Sequence, residues 1–151
     1  MGPRDEEVSA RLRAARERVL ATHRETLAAT LDAADAVAAD PGALSDGAVL
    51  RRRFRSRLDD GGTLADYPAV LRTAVDAAGL SLAADPVPAP PYVVVASRGP
   101  LCRATTATGR LVLAVRTFAP AGRESDIALD TDRRYTRAGG GVEDALSLEM
   151  R

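Results

Sequence analysis

The sequence predicts an α+β domain, with three N-terminal helices packed on a three-stranded antiparallel β-meander and a flexible C-terminal tail. Three observations carry that expectation. Residues 8–39 are rich in Ala and Leu, contain no Gly or Pro, and repeat their apolar residues at helical spacing. Residues 92–118 alternate with the period of a strand, interrupted at Arg98-Gly99-Pro100 and Thr108-Gly109. Between the two lies Asp85-Pro86-Val87-Pro88-Ala89-Pro90-Pro91, which cannot form a helix and reads as a stiff polyproline-like connector. The organisation that follows is a single α+β domain over 1–118, with a helical region over 1–84, the connector over 85–91 and the meander over 92–118. A polar, Gly-containing tail over 119–151 completes the chain.

The first helix is expected over 8–39. Asp5, Glu6 and Glu7 lie where the positive end of a helix dipole favours anions, and Asp40-Pro41-Gly42 stops the run. Val8, Leu12, Ala15, Val19, Leu27, Leu31, Ala34 and Val37 form its apolar stripe. A helix that long would span about 48 Å, more than a domain of this size is wide. It therefore protrudes, breaks near Thr22-His23, or pairs with a second copy. The second helix is capped by Ser45 or Asp46 and runs to Leu58, with Leu50, Phe54 and Leu58 as a narrow apolar edge. The third has Asp66 as its cap, Pro68 in its first turn and Gly79 as its stop. Val70, Leu71, Ala74, Val75 and Ala78 make it the buried helix.

Strands are expected at Tyr92–Ser97, Leu101–Thr106 and Arg110–Phe118. If both hairpin loops hold an even number of residues, the register sorts the side chains onto two faces. Val93, Val95, Cys102, Ala104, Thr106, Leu111, Leu113 and Val115 share one, which the helices must cover. Tyr92, Val94, Arg98, Arg103, Arg110, Val112, Arg116 and Phe118 share the other. In the tail, Gly139-Gly140-Gly141 reads as a linker, and Val142 to Arg151 as a short helix with Leu146 and Met150 on one side.

With 151 residues, 46% apolar and 28% charged, the chain is long enough for a real core and is globular in composition. No apolar run approaches the length of a membrane span or follows the N-terminal charges as a signal peptide would, so the expected location is the cytoplasm. Lys, Asn, Gln and Trp are absent and Ile127 is the only Ile, a bias typical of a GC-rich genome. One Cys and one His exclude an internal disulfide and a Cys/His zinc cluster.

Net charge is zero, but it falls in alternating blocks: −2 over 1–44, +4 over 45–58, −4 over 59–91, +4 over 92–118 and −2 over 119–151. The segment 92–118 has four arginines and no acid. Arg98, Arg103, Arg110 and Arg116, flanked by Tyr92 and Phe118, form the candidate site for an anionic partner. Guanidinium forks match phosphate and carboxylate oxygens, and the aromatics stack on bases. Glu124, Asp126, Asp130 and Asp132 of the tail are the groups that would neutralise this face from within. Arg51, Arg52, Arg53, Arg55 and Arg57 form a second basic surface around the second helix, which reads equally as an ordinary solvated face.

His23 falls in the first apolar stripe and Cys102 on the buried sheet face, so both read as packing residues. No carboxylate pair, metal-binding loop or phosphate-binding glycine motif appears, and no catalytic constellation or cofactor site is expected. The helix-helix-helix-hairpin order also suits a winged helix, but residues 68–79 offer only Arg72, Thr73 and Asp76 as polar contacts.

The run Pro91-Tyr92-Val93-Val94-Val95-Ala96-Ser97-Arg98-Gly99-Pro100-Leu101, with Arg103-Ala104-Thr105 and Gly109-Arg110-Leu111-Val112, resembles an uncharacterised protein family of halophilic archaea. The resemblance covers roughly the middle of the chain and, more loosely, the Ala-rich helices. It implies a small cytoplasmic protein of unknown function and carries no functional residue over. The neutral charge departs from the acidic proteins of high-salt cytoplasms. The expectation at this point is a non-enzymatic binding or regulatory module whose basic sheet face meets nucleic acid or an acidic protein. The alternative is a structural protein that forms a homodimer through helix 8–39.

Overall fold

The structure, a computed structural model, describes residues 2–121 and 134–151. Helices α1 (Pro3–Thr22), α2 (Arg24–Ala38), α3 (Pro41–Leu44), α4 (Gly47–Asp60) and α5 (Thr63–Ala77) come first. Strands β1 (Val93–Ala96), β2 (Gly99–Thr106), β3 (Gly109–Val115), β4 (Phe118–Pro120) and β5 (Tyr135–Arg137) follow. A single-turn helix α6 (Val142–Ala145) leads into β6 (Leu146–Met150). The α+β class holds, but the sheet has four antiparallel strands in the order β1-β2-β3-β6, and β4 pairs with β5 as a separate ribbon.

The long N-terminal helix breaks at His23, whose φ of −119° and ψ of 27° leave the helical region. The break lets two shorter helices wrap the core: α1 lies on α5 and β6, and α2 on α4 and α5. From Ala15 onward the apolar stripe is thereby covered by the same chain, with Ala15, Val19, Leu27, Ala34 and Val37 buried, while Val8 and Leu12 are half-buried. Asp46 caps α4 by accepting from the Ala48 N–H at 2.9 Å. Leu50, Phe54 and Leu58 are wholly buried, as the sequence implies. Helix α5 starts four residues earlier than Asp66 would have it, because Gly62, at φ +77°, turns the chain directly from α4. Pro68 therefore sits inside the helix, and Gly79 at φ +73° follows its end. Thr30 on α2 and Tyr67 on α5 form a buried polar link, with their oxygens 2.6 Å apart. The Thr30 hydroxyl donates to the Thr26 carbonyl at 2.9 Å, so the phenol is left as donor to Thr30.

Both sheet hairpins have two-residue loops, Ser97-Arg98 and Ala107-Thr108, each one residue earlier than the expected Arg98-Gly99 and Thr108-Gly109. Gly99 and Gly109 become the first paired residues of their strands, both at φ +142°. A Cβ on Gly99 would lie 1.9 Å from the Val115 carbonyl oxygen, so that close approach requires glycine. Val93 now faces Cys102 and Ala104 faces Leu111, instead of Val95 with Cys102 and Ala104 with Leu113. Because both loops remain even, the strand residues keep their assigned faces. Val93, Cys102, Ala104, Leu111, Leu113 and Val115 are buried beneath the helices, while Val95 and Thr106 are half-buried.

The expected three-stranded meander gains its fourth strand from the C-terminal segment. Leu146, Leu148 and Met150 pair with Val115, Leu113 and Leu111 on the inner face. The short helix expected over 142–151 is confined to α6, and the rest is strand. Ahead of it, β5 is tied to α2 by Arg137, whose Nε donates to Asp35 at 2.9 Å and whose guanidinium also reaches the Thr117 and Ala138 carbonyls.

Candidate anion-binding sheet face

Among the described residues, the helices pack against the inner face of the sheet, whose side chains join the buried core, and the other, outer face carries no helix. On that outer face the register brings together Tyr92, Val94 and Ala96 from β1 and the residue before it, and Gly99, Leu101, Arg103 and Thr105 from β2. Arg110, Val112, Ala114 and Arg116 follow from β3 and its end, then Ser147 and Glu149 from β6. The centre is apolar. Val112 is 1% exposed, with Arg103 and Glu149 opposite it on the neighbouring strands.

The arginines divide between the two ends of this face. Arg98, in the β1–β2 turn, and Arg116, just past β3, border a groove of about 330 Å³ with Leu101, Val112 and Ala114 among its apolar walls. At the opposite end Arg103 and Arg110 line a smaller cavity with Tyr92. Six residues of extended strand separate Arg116 from Arg110, about 20 Å. Arg151 extends the set: its N–H and carbonyl exchange hydrogen bonds with Arg110 at 2.8 and 2.9 Å, and its guanidinium pairs with Glu149 at 2.6 Å. The sequence pattern missed Arg151 because residues 142–151 fit a helix, and only strand pairing aligns it with Arg110. Among the described residues, no carboxylate forms an ion pair with Arg98, Arg103, Arg110 or Arg116. Glu124, Asp126, Asp130 and Asp132, the groups expected to neutralise this face, lie outside the described residues.

Phe118 does not belong to the face. It is 1% exposed and packs edge-on against Phe54, with ring centroids 5.4 Å apart and planes at 85°. The strand ends at Val115, and the N–H groups of Thr117 and Phe118 both donate to the Arg98 carbonyl, which turns the chain out of the sheet. Phe118 then starts β4 and points into the core. Tyr92, half-buried, is left as the aromatic group of the face.

The second basic surface lies in the other layer. Arg51, Arg52, Arg53, Arg55 and Arg57 are exposed on α4, whose apolar edge faces the core, and Arg53 is paired with Asp40. The helical arginines and the outer sheet face therefore do not form one surface. His23 Nε2 is 2.7 Å from the Thr73 hydroxyl, and partial burial lowers its pKa, while Asp66 pulls the other way. Cys102 is wholly buried, which pushes its thiol pKa up to about 12. Among the described residues, no helix is long and apolar enough to cross a membrane.

Among the described residues, a four-stranded antiparallel sheet with helices on one side and arginines on the other defines an α+β protein with a candidate binding face. By sequence the chain belongs to the family described as Domain of unknown function (DUF7988), whose model matches residues 13–151. The matched span includes every strand and both clusters of arginines. Neither the curated proteins nor the solved structures contain a match to the chain.

Proposed function

We propose that the protein is a non-enzymatic binding module that takes an anionic partner, nucleic acid before an acidic protein, on the outer face of its sheet. The observation that supports this reading is the unequal treatment of the two faces. Among the described residues, one is covered by helices, while the other bears Arg98, Arg103, Arg110, Arg116 and Arg151 against the single strand carboxylate of Glu149. The burial of Phe118 leaves little aromatic surface for stacking bases, so the contacts are made mainly to phosphates. The protein would act where such polyanions are abundant, in the cytoplasm. Titration into fluorescent single- and double-stranded DNA and RNA at several salt concentrations tests the reading. About four phosphate contacts give a log–log salt slope of roughly −3 to −4, reduced in Arg103→Ala and Arg116→Ala variants that keep their fold. Absence of binding at low salt refutes it.

Self-association through the N-terminal half of α1 is favoured by a different observation. Val8 and Leu12 stay half-buried and, with Leu80 and Met150, give the apolar part of a cavity of about 440 Å³ that Arg4, Glu7 and Arg11 also line. On that reading Leu12→Asp lowers the solution mass from that of a dimer and leaves anion binding intact. A wild-type protein that is monomeric at all concentrations excludes it.

A further inference from the structure

Tyr92, Arg103, Thr105 and Arg110 surround a cavity of about 200 Å³ near the β2–β3 turn, with Leu82 and Pro91 on its other side. The sheet register accounts for the convergence. The Arg103 N–H donates to the Tyr92 carbonyl at 2.8 Å, which sets those two residues side by side across strands. Thr105 is directly opposite Arg110, and Arg103 is its diagonal neighbour. Diagonal pairs on one face are about 7–8 Å apart, a gap that two arginine side chains close easily. The segment between α5 and β1 passes beside these strands and walls the space with Leu82 and Pro91, so the cavity is more than a patch of surface charge.

Its size and donors select the ligand. Pockets for larger organic ligands run from about 300 Å³ upward, so this cavity suits a compact group. Two guanidinium forks, a threonine hydroxyl and a phenol offer donors on several sides and two positive charges. A phosphodiester presents one charge and two free oxygens, and a carboxylate is planar and satisfied by one fork. A phosphomonoester carries about −1.5 to −2 charges and three terminal oxygens, which matches the set.

We propose that this cavity binds a terminal phosphate, resting on the outer-face reading above. The phosphate is either the 5′-phosphate of a nucleic-acid strand, whose remaining backbone follows the sheet toward Arg98 and Arg116, or that of a phosphorylated small molecule. In both cases the apolar wall of Leu82 and Pro91 takes the group attached to the phosphate.

Fluorescence anisotropy of a short 3′-labelled strand with either a 5′-phosphate or a 5′-hydroxyl tests this, alongside calorimetric titration with phenyl phosphate. The 5′-phosphorylated strand should bind about tenfold tighter, the scale of one good charged hydrogen bond. Arg103→Ala and Arg110→Ala should abolish that preference, and Arg103→Lys, which keeps the charge but loses the fork, should do the same. Arg98→Ala and Arg116→Ala should weaken both strands equally and keep it. Circular dichroism shows that each variant is folded. If both strands bind equally and phenyl phosphate does not bind, the terminal-phosphate site is wrong and the outer-face reading stands. Arg103-dependent binding of phenyl phosphate with neither strand bound identifies a small phosphorylated ligand and overturns the nucleic-acid reading. No binding of any probe overturns both.

Discussion

The two faces of the β1-β2-β3-β6 sheet are built from alternate residues of the same strands, yet they do opposite things. The inner face carries Val93, Cys102, Ala104, Leu111, Leu113 and Val115 into a closed core under α1, α4 and α5. The outer face carries the half-buried Arg103 and the exposed Thr105, Arg110 and Arg116. A single residue step along each strand thus separates the core side chains from those of the proposed binding face. Val112, apolar and buried on the outer side, is the exception.

The comparison can be broken most severely at the inner face. Leu113→Ala removes a wholly buried side chain and should lower stability by about 2–5 kcal/mol in urea denaturation. Gly99→Ala attacks the turn that sets both faces. Its Cβ would collide with the Val115 carbonyl, and a loss of roughly 3 kcal/mol or more is expected from the melting curve.

Next in size is a pH effect. Burial raises the Cys102 thiol to about 12 in the folded protein, whereas an unfolded thiol titrates at about 8.5. Below that unfolded value both states hold the proton and stability is unaffected. Above it only the unfolded chain ionises, so stability should fall by up to about 1.4 kcal/mol per pH unit until the folded thiol titrates. Denaturation between pH 8 and 11 measures the slope. Cys102→Ala should remove the component that starts near the thiol value, leaving the later decline from Tyr67, whose phenol burial also raises. Tyr67→Phe, which deletes the phenol's donation to Thr30, should cost about 1 kcal/mol.

The smallest stability change belongs to the outer face and sharpens the contrast. Arg110→Ala should move stability by less than about 0.5 kcal/mol, while reducing the magnitude of the salt slope of nucleic-acid binding by about 1. A stability loss as large as that of Leu113→Ala would mean that the arginine belongs to the fold and that the two faces are not separable.

Much of this contrast can be read in the sequence, because it depends on parity. Alternation in 92–118 and two even loops place the strand residues on their faces even though each turn lies one residue earlier than expected. Some helical ends are legible for similar local reasons: Asp46 caps α4 and Gly79 follows α5, but Gly62 rather than Asp66 caps the start of α5. Local chemistry did not reveal the C-terminal strand. Leu146, Leu148 and Met150 lie four or two residues apart, a spacing that serves a helix or a strand, and only the free edge of β3 decides between them. Phe118 was misplaced for the same reason. Its position continues the alternation of β3, but the chain leaves the sheet where the Arg98 carbonyl captures the Thr117 and Phe118 N–H groups.

By itself, then, the sequence determined the α+β class, the composition of the core and the gathering of Arg103, Arg110 and Arg116 on one side, since these follow from periodicity and turn parity. Tertiary structure decided the break at His23, the fourth strand, the entry of Phe118 into the core and the placing of Arg151 beside Arg110. It also decided that Leu82 and Pro91 wall a cavity around Arg103 and Arg110. Each of these depends on a partner distant in the chain, and a one-dimensional pattern carries no record of which segment fills the space that another leaves.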